Sequence, residues 1–475
     1  MKGVTPVHLL CLALACSPLP DATTVGETGA ANESGTTTAV PTTTADTVEP
    51  GDTIGAADPV TTTTDGTTGS DTSEPATTDG SDTSEIPSGC EVVEIADPKL
   101  EAAIREALEI PEGPISGEAA LALTVLNAYE GPIETLDGLQ CFSNLRSLRV
   151  SSDVSDLGPL ESLDALVALN LNGSQVTDLS PLIGAPNLSE LYLSYTPISD
   201  IAPLATIPTL VWLALDSTAV TDLSPLTGLP KLADLGLDGT HPADLTPLST
   251  LPELSFLRMD GCGLTDIDGL AGAPELWDLS IRDNAIADIT ALGGMERLHD
   301  LSAENNLIVD LAPLGQLKKL SVLGLRGNSV VSLAALAGAT GLSRLFVDQN
   351  PLQGIQGLED LEHLTHLSAD ATGLTSLPAA VPASLGHLWI ADNHITDLAP
   401  LADHTKLKEV IATGNDISSL ASIAEAPWVL AHCAYIRIED NPLDAETLAT
   451  IIPAMCEVDT DLQWDGGSCM GACPS

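Results

Sequence analysis

Leucine recurs along this chain at a fixed step. Leu188, Leu210, Leu232, Leu254, Leu276, Leu298, Leu320, Leu342 and Leu364 stand 22 residues apart. Each opens the pattern L-x-x-L-x-L-x-x-N/T/C-x-I/L, as in LWDLSIRDNAIADITALGGMER from Leu276 to Arg297. With the opening leucine as position one, positions four and six are also apolar, while positions three, five, seven and eight vary. Alternation over so short a run predicts a β-strand with one face turned inward. The second half of each unit reads D-L/I-x-P-L. Asp178, Asp200, Asp222, Asp244, Asp266, Asp288, Asp310 and Asp397 recur there, just ahead of Leu/Ile and Pro/Ala. An Asp followed by Pro inside the first turn predicts a capped, short 3-10 helix. A single such unit cannot bury its apolar face, so the units must stack.

The ninth position turns the chain off the strand. It holds Ser174, Thr196, Thr218, Thr240, Cys262, Asn284, Asn306, Asn328, Asn350, Thr372, Asn393, Asn415 and Asn441. All are small and most can hydrogen-bond, as buried backbone groups inside a bend require. Three units depart from the period: the first is one residue short near Asp153, the one from Leu364 ends at Ser384, and the last carries a four-residue insertion before Cys433. These should alter curvature locally without breaking the stack.

The units resemble the bacterial 22-residue class of leucine-rich repeats found in internalins, over roughly residues 90–462. The resemblance implies an α/β solenoid, with a parallel β-sheet on the concave face, 3-10 or irregular turns on the convex side, and a helical N-terminal cap. Cys90 to Phe142 is similar to that cap. There Asp97-Pro98 starts a helix with Leu100, Ile104 and Leu108 on one face, and a second short helix follows Ser116. The organisation read from the chain is a signal peptide (1–15), a spacer (16–88), the N-terminal cap (89–144), about thirteen or fourteen repeats (145–443) and a C-terminal cap (444–475). An Asp444-led helix is expected to close the last layer.

The first residues, MKGVTPVHLLCLALAC, place Lys2 before an apolar run that is too short to span a bilayer. Their ending resembles a bacterial lipoprotein box, which implies acylation at Cys16. Ordinary cleavage with release is the alternative. Residues 17–88 contain no Lys or Arg and are rich in Thr, Ser, Asp and Gly. Such a segment buries too little apolar surface to offset its ordering entropy, and as a coil it reaches on the order of 50 Å. The chain is therefore expected to be exported, at the cell envelope as an outer-membrane lipoprotein or on the cell surface, or secreted if not lipidated.

The net charge of −51 excludes nucleic acid as a partner and disfavours anionic membranes. The expected membrane contact is through the lipid alone, and the expected state is a monomer. Of nine cysteines, Cys11 lies in the signal and Cys262 fills a ninth-position slot as a thiol. Cys90–Cys141 would staple the first cap. Cys433, Cys456, Cys469 and Cys473 allow three connectivities, of which Cys433–Cys456 with Cys469–Cys473 is favoured, with a zinc site as the alternative.

Repeated residues are scaffold, so function is sought where the units differ. Aromatics make up 3% of the chain, yet Tyr192, Tyr195, Trp212, Phe256, Phe346, Trp389 and Tyr435 all fall at positions three, five, seven or eight. So do Arg149, Arg258, Arg282, Arg326, Arg344 and Arg437. Aromatics and Arg are the residues enriched at binding hot spots. These positions predict a protein-binding concave face built from Tyr192, Tyr195, Trp212, Phe256, Arg258, Arg282, Arg326, Arg344, Phe346, Trp389 and Tyr435. A glycan or basic ligand, Ca²⁺ binding, and a purely structural role are the alternatives. Asp216, Asp238 and Asp260 share the seventh-position column, where they would form a hydrated acidic surface or draw a basic partner or Ca²⁺. His366, His387 and Glu409 follow one another at position three; a role as hydrated surface residues is favoured for them over Zn²⁺ ligation. No G-x-S-x-G, H-E-x-x-H, phosphate-binding loop or dinucleotide fingerprint occurs. No enzymatic activity and no cofactor are expected.

Overall fold

In a computed structural model, residues 85–469 are described, apart from 130, 151, 152, 274, 432, 433 and 459. The signal, Cys16, nearly all of the spacer, Cys433 and Cys473 lie outside the described residues.

Each unit forms the expected strand and turn. The strand covers positions three to five, as in Trp212–Ala214, Asp234–Gly236 and Phe256–Arg258. Consecutive strands pair in parallel with equal positions opposite one another, so Leu213, Leu235 and Leu257 are direct neighbours. The 22-residue coil is therefore the repeat of a leucine-rich-repeat solenoid. Positions one, four and six point inward and stack, and Leu210, Leu213, Leu215, Leu232, Leu235 and Leu237 are fully buried. The convex side carries 3-10 turns such as Ser224–Gly228, with Pro at the start. The Asp residues cap them from outside: Asp178 accepts from the Ser180 N–H at 2.8 Å, and Asp222 from that of Ser224 at 2.8 Å. These backbone bonds hold the carboxyls of Asp178 and Asp222 below their ordinary value.

The ninth position forms a continuous ladder. Asn350 is 2% exposed. Its amide donates to Leu325 O at 2.8 Å in the preceding coil and to Val347 O at 3.0 Å in its own, and its Oδ1 accepts from Val330 N–H at 2.9 Å. Asn306 and Asn328 repeat the scheme. Thr keeps only the local half, as in Thr240 Oγ1 to Leu237 O at 2.6 Å. Cys262 is a free, buried thiol that donates to Leu237 O at 3.1 Å.

The eighth position, just before the ladder, has a backbone feature that its many Gly, Asp and Asn residues suit. Its backbone is left-handed throughout, with φ of 61° at Tyr195, 53° at Ser217, 54° at Asp283 and 67° at Gly239. This kink turns the chain sharply off the strand, and glycine tolerates it best.

The irregular units keep register. Leu148 pairs with Leu169 and Leu367 with Leu388 across the short coils, and Val410 pairs with Ile436 across the long one. The extra residues of the long coil accompany a helical turn, Pro427–Leu430, whose Trp428 is buried and donates Nε1–H to Leu401 O at 2.9 Å.

The N-terminal cap contains helix α1 (Pro98–Ala107), capped by Asp97, and helix α2 (Gly117–Ala122), capped by Ser116. Leu100 and Ile104 are buried, and the Cys90–Cys141 bridge ties the cap's two ends. The parallel sheet extends one strand beyond the repeat boundaries on each side. Val125–Ala128 of the cap pairs with Ser147–Val150, and Asp461–Trp464 pairs with Tyr435–Arg437.

The C-terminal cysteines correct the favoured connectivity. Cys456 bonds to Cys469, with Cα atoms 5.8 Å apart, which rules out both Cys433–Cys456 and Cys469–Cys473. The reason is a hairpin. Strand Gly467–Cys469 folds back antiparallel on Asp461–Trp464 and returns Cys469 to the end of helix Ile452–Cys456. With two of the four thiols oxidised to each other, the four-cysteine zinc alternative also falls. Around Asp444 the expected helix begins irregularly. Asp444 caps Thr447 at 2.7 Å, and after helical residues 445–446 a π-helical turn spans Thr447–Ile451 before the α-helix Ile452–Cys456.

Candidate functional face

Inward positions and ladder positions are committed to the stack, so chemistry is left to the outward side chains. The register draws the singled-out residues into separate groups rather than one continuous patch. Tyr192 and Trp212 sit on adjacent strands, ring centroids 6.0 Å apart. Tyr195 projects from the turn beside them and is 62% exposed. Phe346 and Trp389 lie two strands apart and meet at 6.5 Å across the small Ser368. Phe256 stands between these groups and is 42% exposed. Tyr435 is half-buried on the last regular coil, beside Arg437, which pairs with Glu439 at 3.2 Å.

Several arginines turn out to be held within the face. The Arg258 guanidinium lies 3.8 Å from Asp216 and 3.7 Å from Asp238. This approach needs Gly236, where a Cβ would fall 2.6 Å from Asp216 Oδ1 and 3.0 Å from Arg258 Nη2. Arg282 pairs with Glu304 at 2.9 Å and donates to Ser302 Oγ at 2.8 Å. Arg326 reaches Gln349 at 3.4 Å, and Arg344 is exposed. Arg149 lies over the Tyr129 ring at 5.4 Å from its centroid.

The acidic column has a structural explanation. Asp216 Oδ1 accepts from Asp238 N–H at 3.0 Å, Asp238 Oδ1 from Asp260 N–H at 2.8 Å, and Asp260 Oδ1 from Arg282 N–H at 2.7 Å. Asp348 and Asp370 repeat the step, the latter onto Ala391 N–H at 2.6 Å. Each carboxylate thus caps the turn of the next coil, a second ladder running outside the asparagine one. Backbone N–H groups offset the mutual repulsion that spacing alone suggests. At the third position, His366 and His387 stack with centroids 4.2 Å apart and planes within 5°, and His387 Nδ1 meets Glu409 at 2.8 Å. Parallel rings set their lone pairs side by side rather than converging on one point. Among the described residues no group of three or more His, Cys, Asp or Glu is arranged to hold a metal ion.

Trp277 and His299 escaped the sequence reading because they occupy position two. Their rings stack at 4.6 Å with planes 12° apart, and Trp277 also meets Phe256 at 5.7 Å. The available signal was a tryptophan and a histidine in a column otherwise filled mainly by Ser, Val, Ala and Thr.

Burial of carboxylates leaves a pH signature. Desolvation pushes Asp234, Asp238 and Asp370 up to about 6 each and raises Asp278. An unfolded Asp titrates near 3.9, so between about pH 4 and 6 the folded state holds more protons. Stability therefore falls as pH rises through that window. The melting temperature should be a few degrees higher at pH 5 than at pH 7.5. Relief of net negative charge acts in the same direction. Asp238→Asn keeps an acceptor for Asp260 N–H and should reduce the difference; an unchanged pH profile in that variant would contradict the assignment.

No family model matches the chain, and no curated protein does. Among solved structures, an internalin (InlF) of Listeria monocytogenes is 26% identical, with 66% of this chain and 94% of that chain covered and a TM-score of 0.53. A leucine-rich-repeat protein of Leptospira interrogans is 20% identical over 73% of this chain and 97% of that one, with a TM-score of 0.66. The leucine-rich-repeat ectodomain of a plant membrane receptor kinase from Arabidopsis thaliana is 19% identical over 71% of this chain and 43% of that one, with a TM-score of 0.54. That ectodomain was solved in complex with Casparian strip integrity factor 2.

Proposed function

We propose that this chain is a non-enzymatic recognition module that captures a protein ligand on the concave face of its sheet. The observation that carries the reading is selective placement. Tyr192, Trp212, Phe256, Phe346 and Trp389 stand on the outward side of strands whose backbone groups are already paired, and Trp277 joins Phe256 from the residue just before its strand. Large, semi-rigid aromatics bring contact area at low entropic cost, and a core-packing role would have buried them. The plant ectodomain described above is an instance of this fold holding a partner. The export signal, the Cys16 lipid and the 16–88 spacer belong to the same proposal. They would display the domain on a bacterial envelope, clear of the membrane.

The test compares the chain with a quadruple variant, Trp212→Ala, Phe256→Ala, Arg258→Ala and Trp389→Ala. With the 89–475 segment immobilised in envelope extract, the variant should lose the captured partner while its melting temperature drops by only a few degrees. Equal capture by both proteins would move the binding site off this face. In cells, Cys16→Ser should shift the full chain from the membrane fraction to the soluble fraction; retention would remove the lipid from the proposal.

A further inference from the structure

The third-position column places Trp212, Asp234, Phe256 and Asp278 on four successive strands, in register. Ring and carboxylate alternate. The neighbouring seventh-position acids are all engaged by backbone N–H groups, whereas Asp234 is not. Its carboxylate is half-buried, and among the described residues no hydrogen bond or ion pair closes on it. Beside it at position five stand Ala214 and Gly236, and on the next strand Arg258, whose Nη2 would lie 3.0 Å from a Cβ at Gly236, so the one large side chain near Asp234 at that position is a guanidinium. Ring pairs flank it, Tyr192–Trp212 on one side and Phe256–Trp277 on the other. Trp212 and Phe256 are two strands apart, about 9.6 Å, which is room for one flat or compact head group.

Among the described residues, the charged groups that act on Asp234 are Arg258, Asp278 and Asp216. Arg258 is the one cation among them; it attracts the Asp234 carboxylate without closing an ion pair on it, and it is shared with Asp216 and Asp238. The local balance is therefore negative. A half-buried carboxylate whose single cation is spread over several acids is unfavourable, and a second cation supplied from outside relieves it. Aromatic faces on both sides attract the same charge.

We propose that Asp234, between Trp212 and Phe256, is the seat for a cationic side chain of the ligand, a Lys ammonium or an Arg guanidinium. This rests on the reading of the face as a protein-binding surface and specifies the chemistry its partner presents there.

The full chain, with ¹⁵N-labelled tryptophan, is titrated with N-acetyl-arginine methylamide, N-acetyl-lysine methylamide and the neutral isostere N-acetyl-citrulline methylamide. Salt near 0.15 M suppresses diffuse attraction by the net charge. The indole signal lost in Trp212→Phe identifies Trp212. Saturable shifts of that signal are expected with the arginine probe, the lysine probe or both, which identifies the head group, and not with citrulline. Asp234→Asn, with a melting temperature no lower than that of the parent chain, should weaken binding by about tenfold or more. Glu253→Gln, an exposed acid outside the column, should leave it unchanged. The proposal is overturned by no saturable shift, by equal shifts with citrulline, or by equal affinity in Asp234→Asn. Those results leave the binding-face reading standing if the quadruple variant still loses its partner.

Discussion

Asn350→Ala should destabilise the solenoid by about 4 kcal/mol, far more than its small volume suggests. One amide group satisfies Leu325 O, Val347 O, Asp348 O and Val330 N–H, all inside the bend. Leaving a buried polar group without a partner costs about 1–3 kcal/mol, and partial relaxation keeps the sum below the simple total. Asn350→Thr offers a graded control. Thr at this slot recovers the local carbonyl bond, as Thr372 does to Ala369 O at 2.9 Å, but loses the reach to the previous coil. About half the loss is expected for it. Guanidinium melts followed by circular dichroism read both. Because each coil touches only its neighbours, the Ala variant should also broaden the transition, as the array splits at the damaged layer. A loss under about 1 kcal/mol for Asn350→Ala would show that the ladder is not what closes the bend.

Removing the Cys90–Cys141 bridge, by Cys90→Ser with Cys141→Ser, should cost about 4 kcal/mol. The two cysteines are 51 residues apart in sequence, and the tie restrains the unfolded chain across the entire cap. The damage should be local. Helix α1 packs on strand Val125–Ala128, and Leu100, Ile104 and Leu126 are fully buried there. Without the bridge, hydrogen exchange should accelerate first in α1 and this strand, while the amides of Leu301 to Leu345 keep their protection. An unchanged denaturation midpoint, or acceleration spread evenly along the array, would refute this local role.

The particular residues show where pattern reading stops. Trp428 falls outside the outward columns and is buried; Trp212, Phe256 and Trp389 fall within them and stay accessible or half-buried. Position within the coil settled that, because alternation along a strand fixes which side a residue faces. The same reasoning passed over Trp277, since position two precedes the strand, where strict alternation no longer applies. The Asp216–Asp238–Asp260 column was visible, but its purpose was not. Carboxylates one strand apart repel in any account based on spacing, and only the backbone places an N–H under each of them. The left-handed turn had a signal, since nine of its thirteen positions are Gly, Asp or Asn, which tolerate that backbone region, but Tyr195 and Ser217 interrupt the run. Arg258 and Asp234 look alike as outward charges; the structure distinguishes an arginine that closes on two acids from a carboxylate that feels it but closes no hydrogen bond or ion pair.

By itself, the sequence determined the coil: its length, its inward leucines, its polar corner and which positions face outward. These follow from local periodicity, and every unit states them again. Tertiary structure alone decided what depends on contacts between coils or on a chain reversal: the pairing of Cys456 with Cys469, the second ladder of carboxylates, and the grouping of aromatics into separate pairs. The physical reason is that a hydrogen bond, a disulfide or a ring contact depends on distances of a few ångströms between residues about 13 or 22 positions apart, and a one-dimensional pattern fixes the direction of a side chain but not what waits at its end.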